Sequence, residues 1–420
     1  MRFLTSVITC LLLCLLSHRS LAQLSPMLPL TVDAAVMLAV RQNPRLTAAA
    51  RDIGAAQSGV RAAQSLANPS LTFAPNIGSV GGSDTELLIQ QPLEINGTRA
   101  ARTGVANAQR RVTEAGAIVE LRNMVFQTKS AYYELLRVRE QAAVTRDLLQ
   151  SAQEFDRITR RQVEVGTRPG IDQTQTGIEV VRAQQQVTLV GGQVAAAQVG
   201  LNTQMGRLPD TPIGALSFLT TSLQAVQPDT ALRKALTARA EIQVEEANRE
   251  VFRQQARQAR ASGLPDLVPQ YRASSLSNRS SSTSGFGLGI SLPLLDFGGR
   301  RAQIRQSEQA ARAQEARITA TQNQVRQEVT QAQARLVAAD AVVQDYQQGV
   351  LDQARTLLDA SRRGFQEGKT SIVALLEAQR TYRSVQIEYI NAQVDAAVAH
   401  AELERATGAV PANLLAEVSP

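Results

Sequence analysis

The chain repeats one arrangement of prolines at a separation of 201 residues. Pro92 and Pro293 are that far apart, and each is followed within seven residues by a glycine and an arginine. The next prolines lie far downstream, at Pro169 and Pro411 respectively. Proline removes a backbone donor and clashes with the preceding helical turn, so these proline-free stretches permit unusually long helices. The sequence therefore predicts two copies of one helical hairpin unit, with a period too long for a small solenoid repeat.

The longest helices are predicted at residues 97–165 and about 299–366. Each is followed by a glycine-containing tip, at 165–170 and 367–370. The other predicted helices are about half as long and lie at residues 31–67, 171–206, about 229–262 and 371–408. Asn43-Pro44 predicts an early kink in the first of them. Two half-length helices stacked end to end match one long helix, because every helical residue adds the same rise of about 1.5 Å.

Apolar side chains recur every seven residues along both long helices, which predicts supercoiling against neighbouring helices. The first row consists of Val105, Val112, Val119, Phe126 and Tyr133. The second row consists of Ile304, Ala311, Ile318, Val325 and Ala332. Aromatic residues make up only 4% of the chain and Trp is absent. Because a thick core normally uses large aromatic side chains, the composition favours thin helical layers and a mainly α fold with a small β part.

Four strands are predicted, at residues of about 70–78, 85–93, 267–276 and 285–293. In the last of them, Phe286, Leu288, Ile290 and Leu292 alternate with glycine or serine. This strict alternation predicts a strand with one apolar face, which we expect to turn toward lipid. Lipid excludes open sheet edges, and four strands cannot close a barrel. If these strands lie in a membrane, several chains must therefore share one barrel.

The chain is predicted to begin with a secretory signal peptide at residues 1–22. A positive n-region and an apolar run precede a small-x-small cleavage site before Gln23. Cys10 and Cys14 lie inside this segment and leave lipid attachment open, although neither follows a small residue. The remaining predicted divisions are a first repeat at 23–207, a linker at 208–228, a second repeat at 229–408 and a C-terminal tail at 409–420.

The charged residues predict neither a nucleic-acid partner nor a catalytic site. The pI is about 9.9, but the arginines are interspersed with acidic residues and lack interleaved aromatics, which favours a solvated helical surface. His400 is the single histidine outside the signal peptide, so no metal-ligating cluster is predicted. Since no nucleophile–base set or nucleotide loop is recognisable either, we expect a chain without catalytic residues and without a cofactor.

Two segments resemble the TolC-type outer-membrane efflux factors. Residues 91–102 read Gln-Pro-Leu-Glu-Ile-Asn-Gly-Thr-Arg-Ala-Ala-Arg and are similar to the strand-to-helix motif of the heavy-metal (CzcC-like) branch, with Thr98 where that branch usually has a lysine. Residues 368–379 read Gly-Lys-Thr-Ser-Ile-Val-Ala-Leu-Leu-Glu-Ala-Gln and resemble the family's second hairpin tip. The resemblance covers essentially the whole chain after the signal peptide.

The resemblance implies a homotrimer in the outer membrane. Four strands per chain would form a twelve-stranded β-barrel in contact with outer-membrane lipid, and the coiled-coil hairpins would form an α-helical barrel across the periplasm. It also implies two protein partners, a periplasmic adaptor (membrane-fusion protein) and an inner-membrane RND-type pump. The adaptor would meet the hairpin tips at Gly166, Thr167, Arg168, Gly368, Lys369 and Thr370.

The resemblance also implies a constriction at the periplasmic end. The family's two gate positions fall on Ala374 and Glu377, and Asp172 occupies the position equivalent to Ala374 in the first copy. Rings of carboxylates at a constriction favour cations, and Arg161 and Arg363 are candidates to pair with these acids and hold the tips closed. The alternative is that both acids are ordinary solvated residues at helix ends.

These observations predict a passive exit duct of a tripartite efflux system that exports divalent heavy-metal cations of the cobalt, zinc and cadmium type. The same duct could instead serve multidrug efflux or type I protein secretion. A different class of protein, a periplasmic coiled-coil adaptor or scaffold, is the further alternative. The strand at 285–293 distinguishes this last class, because an adaptor needs no lipid-facing strand.

Overall fold

The computed structural model describes residues 29–74, 86–217, 228–274, 283–293 and 296–409, together with Leu414. The predicted signal peptide lies outside the described residues. The same holds for the ends of three predicted strands (75–78, 85 and 275–276), for positions 218–227 of the predicted linker and for most of the predicted tail. The described chain is mainly helical with one four-stranded sheet, which confirms the predicted fold class.

The described part of the first copy contains four helices, α1 (Val32–Gln42), α2 (Pro44–Gln64), α3 (Thr98–Glu164) and α4 (Gly170–Gln204). Residues 31–67 thus form two helices separated at Asn43, where the sequence indicated a kink. The Asn43 side chain accepts a hydrogen bond from the Arg45 amide at 3.0 Å and donates one to the Gln204 carbonyl at 2.8 Å. It therefore begins α2 and also joins α2 to the end of α4.

Five helices lie in the described residues of the second copy, namely α5 (Pro228–Ala238), α6 (Ala240–Ala261), α7 (Gly299–Asp345), α8 (Leu351–Gln366) and α9 (Ile372–Ala406). The sequence predicted one helix at 229–262, whereas the structure has a break at Arg239. No proline or glycine causes this break. The Arg239 side chain is buried and donates a hydrogen bond to the Ala406 carbonyl at 2.9 Å, so a tertiary contact fixes its extended backbone.

The second long helix is also divided, although the sequence predicted one helix at about 299–366. A kink at Tyr346–Val350 separates α7 from α8, and Gly349 in it has non-helical dihedrals, with φ 153° and ψ −21°. That conformation favours glycine, which has no β-carbon to clash. Next to it, the Tyr346 hydroxyl donates to Glu388 Oε2 at 2.9 Å. The glycine made the break possible, but only the contact with α9 locates it.

The sheet joins the two copies. Its strands are β1 (Ser70–Ala74), β2 (Glu86–Gln90), β3 (Asp266–Ser274) and β4 (Thr283–Ser291), in the order β1-β2-β3-β4 with every pair antiparallel. The central pairing of β2 with β3 connects a strand from each repeat. The strands β1 and β4 are therefore the two outer strands of this sheet.

The helices pack through narrow rows of mostly small side chains. Along α7 the buried residues follow the three- and four-residue spacing of a coiled coil and are Ser307, Ala311, Gln314, Ile318, Val325, Val329, Ala332 and Leu336. On α3 the predicted row from Val105 is half-buried, and the fully buried row beside it begins with Ala101, Ala108 and Ala115. Small side chains let neighbouring helices approach closely, as the composition indicated. Across the described ranges, no helix combines the length and apolar character needed to cross a membrane.

Candidate functional site

One face of the sheet is apolar across all four strands. Cross-strand partners share a face, and the register pairs Leu288 with Pro269, Tyr271 with Phe286 and Tyr271 with Ile89. The apolar face consists of Leu71, Phe73, Leu87, Ile89, Leu267, Pro269, Tyr271, Ala273, Phe286, Leu288 and Ile290, with Ser284 at one end. On β4, Phe286, Leu288 and Ile290 are 91%, 66% and 74% exposed, so no described residue covers this part of the face.

The opposite face of the sheet is mostly polar or lacks side chains. Arg272 forms an ion pair with Glu86 at 2.8 Å, and Gln90 donates a hydrogen bond to Gln270 at 3.4 Å. The remaining members are Ser70, Thr72, Ala74, Leu88, Asp266, Val268, Ser274, Thr283, Gly285, Gly287, Gly289 and Ser291. The two faces thus suit two different surroundings, one apolar and one aqueous. The fourth predicted lipid-facing residue, Leu292, follows directly after β4 and is also exposed.

A partly buried ion pair within residues 91–102 stabilises the first strand-to-helix junction. Arg102 contacts Glu94 through two hydrogen bonds, of 2.6 and 2.9 Å. Its guanidinium also donates to the Ala63 and Ser65 carbonyls at 3.1 and 3.0 Å, which satisfies carbonyls at the end of α2. Arg102 therefore joins α2, the strand exit and α3. The sequence marked this motif by resemblance but did not assign this structural role.

Arg168 connects the two hairpin tips. Its guanidinium lies 3.3 Å from Asp172, donates to the Phe365 carbonyl at 3.3 Å and stacks 4.0 Å from the centre of the Phe365 ring. The turns themselves need glycine, since Gly166 and Gly368 have φ of 74° and 71°. Of the six predicted tip residues, Arg168 is thus the one that connects the tip of the first repeat to the tip of the second repeat in the same chain.

The other tip residues face outward or close their own turns. Gly166, Thr167, Gly368 and Lys369 are exposed, and Thr370 is half-buried. Thr167 donates a hydrogen bond to the Gln162 carbonyl at 2.8 Å, and Lys369 pairs with Glu367 at 2.7 Å.

The two predicted gate acids lie in different surroundings. The Asp172 side chain is 14% exposed and pairs with Arg168, whereas the Glu377 side chain is 70% exposed and lies 3.8 Å from Arg380. Arg380 also contacts Glu179 of α4, so a second ion pair links the hairpins above the tip.

The predicted pairing of these acids with Arg161 and Arg363 is not present within the chain. Both arginines are exposed in the last turns of α3 and α8. Each acid instead contacts an arginine close to it in sequence. Arg168 lies four residues before Asp172, and Arg380 lies three residues after Glu377, which are the spacings at which side chains meet on one side of a helix.

We expect Arg168→Gln to loosen both tips. The loss of an ion pair and a partly buried cation–π contact is worth about 1–2 kcal/mol, or roughly a 5- to 30-fold change in local opening. Hydrogen exchange should then accelerate by this factor in the peptides around residues 160–172 and 362–372. The matched variant Arg161→Gln should leave both peptides unchanged. If Arg168→Gln accelerates exchange only around residues 160–172, Arg168 does not connect the two tips of the chain.

A buried charge cluster lies where α5 meets α6, at the level of the broken helices. Arg122 of α3 is 2% exposed and holds Glu241 with both terminal nitrogens, one at 2.7 Å. Arg239 is 3% exposed and contacts Glu241 at 3.0 Å and Glu328 at 2.8 Å. Burial, with the nearby positive charge of Arg239, lowers the pKa of Arg122 to about 10. The sequence did not reveal this cluster, since its members come from three separate helices and one helix break.

No metal centre is recognisable in the ranges that the structure describes, since no three His, Cys, Asp or Glu side chains there are grouped closely enough to hold an ion.

The chain combines long paired helices with a four-stranded sheet that has one apolar and one polar face. This combination is the fold of the outer-membrane efflux channels. The chain belongs to the outer membrane efflux protein family, whose family model matches residues 35–207 and 231–409. It is therefore an outer-membrane channel protein, and the proteins of this family are passive ducts and not enzymes.

Two relatives are similar to the chain in sequence and one solved structure is similar to it in fold. The chain is 25% identical to the cobalt-zinc-cadmium resistance protein CzcC of Cupriavidus metallidurans, over 86% of each chain. It is also 25% identical to the outer membrane efflux protein BepC of Brucella suis, over 92% of this chain and 87% of BepC. The crystal structure of the outer membrane protein VceC of Vibrio cholerae superimposes with a TM-score of 0.74 at 18% identity, over 90% of this chain and 96% of VceC.

Proposed function

We propose that three copies of this chain form the exit duct of a tripartite efflux system that exports divalent heavy-metal cations. The observation that carries the proposal is the two-faced sheet with an open strand at each edge. An apolar face suits lipid, but open edges carry unpaired backbone groups that lipid does not tolerate. Joining β4 of one copy to β1 of the next removes every edge, and three copies supply the twelve strands of one closed barrel.

The helices support the same closure. α4 packs along α3 and leaves a set of apolar side chains exposed, namely Ile171, Ile178, Val181, Leu189 and Val199. Four more exposed apolar residues lie on α7, the Tyr346–Val350 kink and α8, namely Val337, Val342, Val350 and Leu357. Exposed apolar side chains that lie together indicate a contact surface. We assign them to neighbouring copies, whose helices complete a tunnel across the periplasm.

The proposed partners are a periplasmic adaptor at the tips and an inner-membrane pump of the RND type. Gly166, Thr167 and Lys369 are exposed at the tips and are available to an adaptor. A duct of this kind has no energy source of its own, so transport would be driven by the pump.

The metal cargo rests on the resemblance of residues 91–102 to the heavy-metal branch and on the similarity to a cobalt-zinc-cadmium resistance protein. Deleting the gene in its own host should lower tolerance to zinc, cobalt or cadmium and raise their cellular content, and the intact gene should restore both. Unchanged metal tolerance combined with greater sensitivity to drugs, or with loss of a secreted protein, would assign the duct to one of those cargoes instead.

The gate residues give a direct test of cation selection. We expect the double variant Asp172→Asn with Glu377→Gln to reduce cation selectivity and to weaken block by added divalent ions in planar-bilayer recordings. The reason is that three copies would place six carboxylates around a narrow opening. The control variant Glu164→Gln, an exposed acid at the end of α3, should keep wild-type selectivity. Unchanged selectivity and block in the double variant would place the constriction elsewhere.

A further inference from the structure

A cavity of about 640 Å³ lies among α1, α3, α5 and α9, and none of its lining residues belongs to a hairpin tip or to the sheet. One part of its wall is apolar and consists of Val36, Met37, Val125, Phe126, Ala401 and Leu414. The volume lies within the usual range of small-molecule sites, which combine apolar walls with a few convergent polar groups. Neither the duct nor the proposed gate uses this cavity.

The other part of the wall is charged, with an excess of cations. Arg122, Lys129, Lys234 and Arg405 line it together with only two acids, Asp33 and Glu404. Lys129 and Glu404 form an ion pair with each other. Lys234 is exposed on the surface of α5 and has no ion pair among the residues that the structure describes.

The charges directly behind the wall do not remove this excess. Glu241 and Glu328 lie there, but Arg239 contacts both of them at 3.0 and 2.8 Å. The cavity wall and the residues directly behind it together contain five cations and four carboxylates. The cations are Arg122, Lys129, Lys234, Arg239 and Arg405, and the carboxylates are Asp33, Glu241, Glu328 and Glu404. Among the residues that the structure describes, one positive charge is therefore left without a counter-charge in this region.

Two hydrogen-bond donors of the wall are also unsatisfied. The Nε atoms of Arg122 and Arg405 are both buried and lack an acceptor within the described part of the chain. Neither Nε atom exposes surface to the cavity. The cationic groups that remain open to a ligand include the ammonium of Lys234 and the exposed part of the Arg405 guanidinium. Arg405 in addition lies over the Phe126 ring, 5.3 Å from its centre, at the boundary between the charged and apolar parts of the wall.

We propose that this cavity binds an amphipathic monoanion, a molecule with a carboxylate or singly charged phosphate head and an alkyl or aromatic body. The head would pair with the ammonium of Lys234 and accept hydrogen bonds from the exposed part of the Arg405 guanidinium, while the body would lie against Val36, Met37 and Val125. A single negative charge matches the single uncompensated cation. The ligand would hold α1, α3, α5 and α9 together and would stabilise the folded protein by an amount that grows with the logarithm of its concentration above Kd.

The test is a fluorescence titration of the intact protein in a non-ionic detergent with a dansyl-labelled undecanoic acid. We expect saturable binding by the wild type and at least about 10-fold weaker binding by Lys234→Gln, since one charge-assisted contact is lost. Lys234→Arg should keep the affinity. So should Lys369→Gln, which removes the same charge at a tip. The uncharged methyl amide of the probe should bind at least about 10-fold more weakly than the acid.

Three results would overturn the proposal. The first is absence of saturable binding to the wild type, which would follow if a neighbouring copy occupies the cavity. The second is equal affinity of Lys234→Gln and the wild type. The third is equal affinity for the acid and its methyl amide, which would indicate binding to any apolar surface. Because Lys234 is exposed, folding of its variants can be verified by an unchanged thermal unfolding midpoint without the probe.

Discussion

Leu288→Arg should sharply reduce the amount of this protein that assembles in the outer membrane. Leu288 lies in the middle of the exposed apolar face of β4, opposite Pro269. An arginine on the lipid face costs about 2–4 kcal/mol near the bilayer midplane. If three copies share one barrel, that cost is incurred three times per assembly. The measurement is the fraction of the protein found in purified outer membranes.

The matched control is Gly285→Arg on the same strand. Gly285 lies on the opposite face of the sheet, and a side chain added there meets no atom within 4 Å. We expect this variant to assemble normally, because its charge would face water. Normal assembly of Leu288→Arg, or equal loss of both variants, would mean that the apolar face does not contact lipid.

Glu241→Ala should destabilise the folded chain by about 3–5 kcal/mol, the usual cost of leaving a buried charge without its partner. The carboxylate of Glu241 is the hydrogen-bond partner of both terminal nitrogens of Arg122 and a second partner of Arg239. Both arginines are almost completely buried, so neither can regain water without opening the helix break. Chemical unfolding in detergent measures the loss of stability.

Glu308→Ala provides the comparison for this variant. Glu308 also pairs with an arginine, Arg260, but both side chains are largely exposed. Exposed pairs contribute about 0–1 kcal/mol, so this variant should unfold almost like the wild type. If Glu241→Ala also loses less than about 1 kcal/mol, the cluster around α5 and α6 does not stabilise the break.

Local sequence patterns were sufficient for most of the fold. The positions of Pro92 and Pro293 predicted where the long helices begin, and the alternation from Phe286 to Ile290 predicted β4 and its apolar face. Both patterns depend on interactions within one segment, since proline acts on its own helical turn and strand faces follow from residue order. For the same reason Asn43 indicated a break between α1 and α2.

Features that depend on distant contacts were not recognisable. Arg239 breaks a helix because its side chain reaches Ala406 and Glu328, which lie far away in sequence. The break after α7 needed both Gly349 and the contact of Tyr346 with Glu388. At the tips the sequence identified the acids, but not that Arg168 would contact Asp172 and Phe365 together.

The central claim is that several copies complete one outer-membrane barrel, and native mass spectrometry tests it most directly. Protein extracted from outer membranes in a non-ionic detergent should appear as a complex of three chains without any other subunit. This result is expected because three copies supply twelve strands with no open edge. A single chain, or protein recovered only from the soluble periplasmic fraction, would contradict the account.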